Sequence, residues 1–153
     1  MSDGESCRPR PLAVAGAAIL LLAGCASPSP TMSDYQTKTR TTASAVAGIA
    51  AVARTGAQQW QHGRLTKAYA DTLVTEAEDD AGSIIATYDS RQPPTSDAIA
   101  LKDKIDKPLQ DVSNALTDLR IALRRGDHQG VSKAVRALVA PRKKLSGMER
   151  VGL

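Results

Sequence analysis

Two histidines, two cysteines and one run of carboxylates are the side chains on which acid-base, nucleophilic or metal chemistry would draw in this chain. His62 lies beside Gly63, and His128 follows Asp127 in what reads as a first helical turn; both read as exposed helix-end residues, not as catalytic or ligand positions. Glu76, Glu78, Asp79 and Asp80 would suit a cation by type. Consecutive helical residues fan around the axis by about 100° each, so these four do not converge on one ion, and no EF-hand spacing is present. The cluster reads as a solvated acidic face. Asp80 falls on the expected inward stripe of its helix, between Leu73 and Ile84, where a half-buried carboxylate needs an Arg or Lys from another helix. The chain has no Gly-rich phosphate loop, no Gly-x-Ser-x-Gly elbow, no His-Glu-x-x-His and no Glu-x-x-His di-iron pair. No catalytic residue, no metal ligand and no cofactor is assigned.

The elements that must position these residues are helices. The 153 residues are 42% hydrophobic and 24% charged, as in an ordinary globular domain, and rings are scarce: Phe is absent, and Trp60, Tyr35, Tyr69 and Tyr88 stand alone. That scarcity argues against base-stacking platforms and an aromatic-rich sandwich. Ser33-Asp34-Tyr35-Gln36 has the form of a capping box. From there Tyr35, Thr39, Thr42, Val46, Ile49, Ala53, Gly56 and Trp60 share one helical face as far as Gly63. A second helix is expected from about Thr66 to Ser90, with Tyr69, Leu73, Ala77, Ile84 and Tyr88 inward, closed by Pro93-Pro94. Ser96 is the expected cap of a third, whose stripe is Ala98, Leu101, Ile105, Leu109, Val112, Leu116, Leu119 and Leu123, with a kink at Pro108. Gly126-Asp127 stops it and caps a fourth, with Val131, Val135, Leu138 and Leu145 inward, a bend at Pro141 and an end at Gly147. No stretch alternates with period two. The expected fold is all-α, an antiparallel up-down bundle of about four helices over residues 33–147, with 148–153 as a C-terminal tail.

Charge is unevenly spread. From Arg120 to Leu153 nine basic residues face only Asp127 and Glu149, an excess of seven in a chain whose formal charge is +4. Lys133, Arg136, Lys143 and Lys144 fall opposite the apolar stripe of the fourth helix and should form a basic outer face, the candidate binding surface.

Ahead of the helices, Arg8 and Arg10 precede an uncharged apolar run from Leu12 to Leu22. A transmembrane helix needs about 20 apolar residues, whereas a signal-peptide core needs about 7 to 15. The run ends in Leu22-Ala23-Gly24-Cys25, which resembles a bacterial lipobox, with the Cys25 thiol placed for diacylglyceryl attachment and small residues for the signal peptidase. Ala26-Ser27-Pro28-Ser29-Pro30-Thr31 follows with the composition of a semi-extended tether. The expected organisation is a lipoprotein signal peptide over 1–24 and a lipidated tether over 25–32. Cys7 would leave with the leader and Cys25 would carry lipid, leaving the body without a thiol for a disulfide, redox or zinc site. With Thr87-Tyr88-Asp89-Ser90-Arg91-Gln92-Pro93-Pro94 and Leu119-Arg120-Ile121-Ala122-Leu123-Arg124-Arg125-Gly126-Asp127, the chain resembles small, uncharacterised lipoproteins of high-GC Gram-positive (actinobacterial) type. That resemblance implies a helical envelope lipoprotein and no activity.

The sequence thus points to a non-enzymatic, lipid-anchored binding or structural module at the extracytoplasmic face of the cell membrane. Its expected partners are the outer leaflet, through lipidated Cys25, and an anionic envelope polymer or acidic protein; nucleic acid is not expected there. The alternative is a small-ligand or cation carrier, with Ala47, Gly48, Ala50 and Gly56 leaving room for cargo in the bundle. An enzyme ranks third, because no nucleophile and base pair up in the motifs present.

Overall fold

The computed structural model describes residues 31–150, so the expected leader, the lipobox with Cys25, and the tether as far as Pro30 lie outside the described residues. The described residues form α1 (Met32–Gln61), α2 (Lys67–Asp89), α3 (Ser96–Arg125), α4 (His128–Ala137) and α5 (Val139–Arg150), with no strand among them. Side-chain pairs fix the directions. Tyr35 at the start of α1 meets Tyr88 at the end of α2, while Gly56 near the end of α1 meets Leu73 near the start of α2. Asp71 at the start of α2 pairs with Arg124 at the end of α3, and Trp60 at the end of α1 stacks on His128 at the start of α4. Each arm therefore runs antiparallel to the one before it, and the bundle is all-α and up-down.

The stops follow from backbone chemistry. Gly63 (φ 69°) and Gly126 (φ 67°) take the left-handed conformation that glycine adopts without a Cβ penalty. In both, the glycine N–H and the next N–H fold back onto helix carbonyls: Gly63 to Trp60 and Arg64 to Gln59, Gly126 to Leu123 and Asp127 to Ala122. The starts differ by one or two residues from the sequence expectation. Thr31, extended, caps α1 in place of Ser33 by accepting from Asp34 N at 3.1 Å, and Thr95 caps α3 in place of Ser96 by accepting from Ala98 N at 3.2 Å. Met32 consequently belongs to α1 and packs on the core, so it is not part of the tether.

The fourth arm is two helices. Pro141 has no N–H for the Ala137 carbonyl and its ring would clash with that oxygen, so the helix ends at Ala137 and restarts at Val139. The interruption falls at buried Leu138, three residues before the expected bend. As the third residue of α5, Pro141 sits where helix N–H groups have no partner anyway. α5 also continues past Gly147 to Arg150, into the expected tail. α3, by contrast, runs unbroken through buried Pro108.

All eight residues of the α3 stripe are buried, and they form the thick side of the core. α1 and α2 bury mostly small side chains, Ala43, Ala47, Ala50, Ala53 and Ala57 in α1 and Ala70, Ala77 and Ala81 in α2. The buried face of α2 is Ala70, Val74, Ala77, Ala81 and Tyr88: Ala77 and Tyr88 are buried as expected, Ala70 and Val74 take the places expected for Tyr69 and Leu73, and Tyr69 is 59% exposed. Alanines let the two backbones approach closely, and a tyrosine in that seam would hold them apart. The buried core side chains among the described residues run from Tyr35 to Leu145.

Candidate electrostatic contact site

Helical periodicity places the four candidate cations outward. Lys133 and Arg136 are exposed beside buried Val131, Ala134 and Val135, and Lys143 and Lys144 are exposed between buried Pro141 and Leu145. The interruption at Leu138 divides them between two openings. Lys133 and Arg136 border a depression of about 680 Å³ with Asp127, His128, Gln129 and Ser132. Lys144 borders another, of about 530 Å³, with Lys104 and Lys107 of α3, over a floor of Pro108, Gly147 and Met148 and with Asp103 at its rim. Lys104 and Lys107 were not legible as site residues, since α3 mixes charges of both signs and only its packing against α5 brings them beside Lys144.

The two openings differ in what already fills them. At the start of α4 the helix N–H groups, which attract anions, are taken by the chain's own Asp127, whose Oδ1 accepts from Gln129 N at 3.0 Å and Gly130 N at 2.9 Å. His128 is exposed, as expected, but stacks on Trp60 with ring centroids 4.3 Å apart, and Gln61 donates to the His128 carbonyl and the Ser132 hydroxyl. His62 is the exposed C-cap of α1.

The negative counterpart is α2, with six carboxylates against Lys67. Its cluster fans apart as helical geometry requires. Asp80, expected half-buried, is exposed, because the buried face of α2 passes through Ala77 and Ala81 and leaves Asp80 beside it. Glu78 is the cluster member that crosses to another helix: it accepts from Arg120 and, at 2.8 Å, from the Thr117 hydroxyl. Burial alone would raise the Glu78 pKa, but those hydrogen bonds and the Arg120 charge outweigh it and hold the carboxyl below its usual range. With Asp71 paired to Arg124, two of the nine C-terminal basic residues are neutralised locally. From His128 to Met148 there remain five basic residues and no acidic one. α2 packs on α1 and α3 and touches neither α4 nor α5 among the described residues. The acidic and basic arms are diagonal corners of the bundle.

A buried polar knot ties the far end of the bundle. Tyr88 donates to the Tyr35 hydroxyl at 3.0 Å, Thr39 Oγ1 lies 3.1 Å from the Tyr88 oxygen, and Thr39 also donates to the Tyr35 carbonyl. Lys102 Nζ sits 5.3 Å from the Tyr88 ring centroid and bridges Asp89 and Asp106 at 2.9 and 3.0 Å. These groups satisfy one another, and the arrangement is a register lock joining α1, α2 and α3.

The small residues expected to leave room for cargo are largely packed. Ala47 and Ala50 are buried, and a Cβ on Gly56 would stand 2.9 Å from Leu73 Cδ2, so Leu73 fills that space. What stays open there is a surface groove of about 450 Å³ lined by Gly48, Ile49, Val52 and Leu73. Among the described residues no group of three or more His, Cys, Asp or Glu side chains is placed to hold a metal, and no helix is long and apolar enough to cross a membrane. Comparison with protein-family models, with curated proteins and with solved structures finds no match to the chain.

Proposed function

We propose that the protein is a non-enzymatic, lipid-anchored envelope module that presents its α4–α5 corner to an anionic surface at the outer face of the membrane. The observation that supports this is the diagonal separation of charge, six basic residues against Glu149 in α4 and α5 on one corner and the carboxylates of α2 on the other. Packed helices lie about 8 to 10 Å apart, so a diagonal corner is roughly 12 Å or more away. That exceeds the Debye length of ~8 Å at physiological ionic strength, so the acidic corner does not cancel the attraction felt by the basic one. Each Lys or Arg near an anionic membrane contributes ~1 kcal/mol, enough to orient a body already held there by two acyl chains. The anchor is Cys25, joined to α1 by a short Pro- and Ser-rich tether.

Intact mass of the membrane-extracted protein tests the anchor. Loss of residues 1–24 and a diacylglyceryl adduct on Cys25 are expected, and both should vanish in Cys25→Ala; a wild-type chain without the adduct overturns the anchoring. Retention of the body on anionic but not neutral vesicles, weakened by salt, is the expected sign of the contact.

A further inference from the structure

The opening between α3 and α5 differs from the rest of the basic corner in having an apolar floor. Lys104 and Lys107 stand on one wall and Lys144 on the other, and between them lie Pro108, Gly147 and Met148. Lys107 Nζ is held by Asp111 of the same helix at 3.0 and 3.1 Å, which leaves Lys104 and Lys144 as the ammonium groups available to a ligand, beside Asp103, the one carboxylate in the lining. Met148 is partly buried against the core, and a Cβ built on Gly147 would meet nothing within 4 Å, so the space beside Gly147 is open. The depression beside Lys133 and Arg136 lacks this combination: its lining is polar, and Asp127 already occupies the helix N–H groups there.

We infer that the α3–α5 groove binds one anionic phospholipid, its phosphate held by Lys104 and Lys144 and the first methylenes of its chains lying on Pro108, Gly147 and Met148. The inference rests on the proposed contact between the α4–α5 corner and an anionic surface, and makes one part of that contact a site with a defined occupant. Lysine heads suit the phosphate as point charges, and their stems extend the apolar lining toward the lipid. A groove of about 530 Å³ takes a headgroup, the glycerol and the upper chain, not a whole lipid. The remaining chain would stay in the leaflet, which fits a body tethered at its surface. A purely polar anion would leave the floor uncovered and gain only the charge.

The test uses the chain from Ala26 onward, the body of the proposed lipoprotein, which contains every buried core residue among those described. Dihexanoylphosphatidylglycerol below its micelle concentration is titrated while the amide resonances of Lys104, Lys107 and Gly147 are followed. Glycerol phosphate and dihexanoylphosphatidylcholine serve as the headgroup-only and uncharged arms. Saturable shifts are expected with the anionic lipid, and binding at least about tenfold weaker with either control, because each lacks one half of the recognition. Gly147→Leu fills the groove without removing a charge, in a helix that favours Leu over Gly, and should abolish monomer binding while adsorption to phosphatidylglycerol vesicles persists. The double variant Lys104→Gln, Lys144→Gln should lose monomer binding too. If glycerol phosphate binds as well as the lipid, or Gly147→Leu binds the monomer like wild type, the groove is not a lipid site, whatever the vesicle result. If wild type adsorbs to no anionic vesicle at all, both this inference and the function it rests on fall.

Discussion

Arg120 of α3 donates through Nε and Nη2 to the carboxylate of Glu78 on α2, and Thr117, one turn earlier on α3, donates to the same group. This contact joins the only acidic arm to the helix before the basic one, and it decides which of the C-terminal cations are free. Arg120 and, through Asp71, Arg124 serve the bundle; Lys133, Arg136, Lys143 and Lys144 of α4 and α5 are exposed.

The pair has a signature in acid. The folded chain holds Glu78 below its ordinary 4.5, so its contribution to stability is complete above that value and is lost as the pH falls through the lower, folded one. Chemical denaturation of the wild type should therefore show stability declining below about pH 4.5, and Glu78→Gln should flatten that limb. An unchanged acid limb in the variant would mean that the carboxyl is not held by Arg120 and Thr117.

The tyrosine knot has the opposite limb. Burial, with the Tyr35 hydrogen bond, raises the Tyr88 phenol above its ordinary 10.0, against a smaller opposing effect of Thr39. The unfolded chain ionises Tyr88 first as the pH rises, so the stability this group provides is present below pH 10 and lost above it. Tyr88→Phe should remove that alkaline decline and cost about 1 to 3 kcal/mol at neutral pH, the price of leaving buried hydroxyls unpaired. Equal alkaline limbs in both proteins would contradict the buried knot.

The core makes a plainer comparison. Leu116 is fully buried in the α3 stripe and Lys133 is exposed on α4. Leu116→Ala should destabilise the bundle by about 2 to 5 kcal/mol, and Lys133→Ala by less than about 0.5 kcal/mol, in urea unfolding followed by circular dichroism. Similar small losses at both positions would refute the packing of α3.

What the sequence disclosed depended on contrast between neighbouring side chains. In α3, Leu, Ile and Val alternate with Lys, Asp and Gln, and the whole stripe from Ala98 to Leu123 could be read in register. In α2, alanines lie on several faces, so hydropathy pointed to large Tyr69 while packing chose Ala70 and Ala81. Caps were found to the turn but not to the residue, because Thr31 and Thr95 compete with Ser33 and Ser96 for the same role. Pro141 marked the weakness in the fourth arm, but its effect is exerted on the carbonyl four residues earlier, so the interruption precedes it. Lys133, Arg136, Lys143 and Lys144 were legible as exposed because helical period alone puts them outside. Their division into two openings was not, since it depends on the interruption at Leu138 and on Lys104 and Lys107, some forty residues away in the chain.

The most direct test of the central claim is vesicle binding by the chain from Ala26 onward, compared with the variant in which Lys133, Arg136, Lys143 and Lys144 are all Gln. Gln is nearly as good a helix former as Lys or Arg, so helical content should be unchanged. At low salt the variant should bind phosphatidylglycerol vesicles more weakly by ~1 kcal/mol for each charge that reaches the surface. The difference should shrink as added salt shortens the Debye length toward ~8 Å. Equal binding by the two proteins at low salt, or no binding by either, would contradict the assignment of the α4–α5 corner as the contact surface.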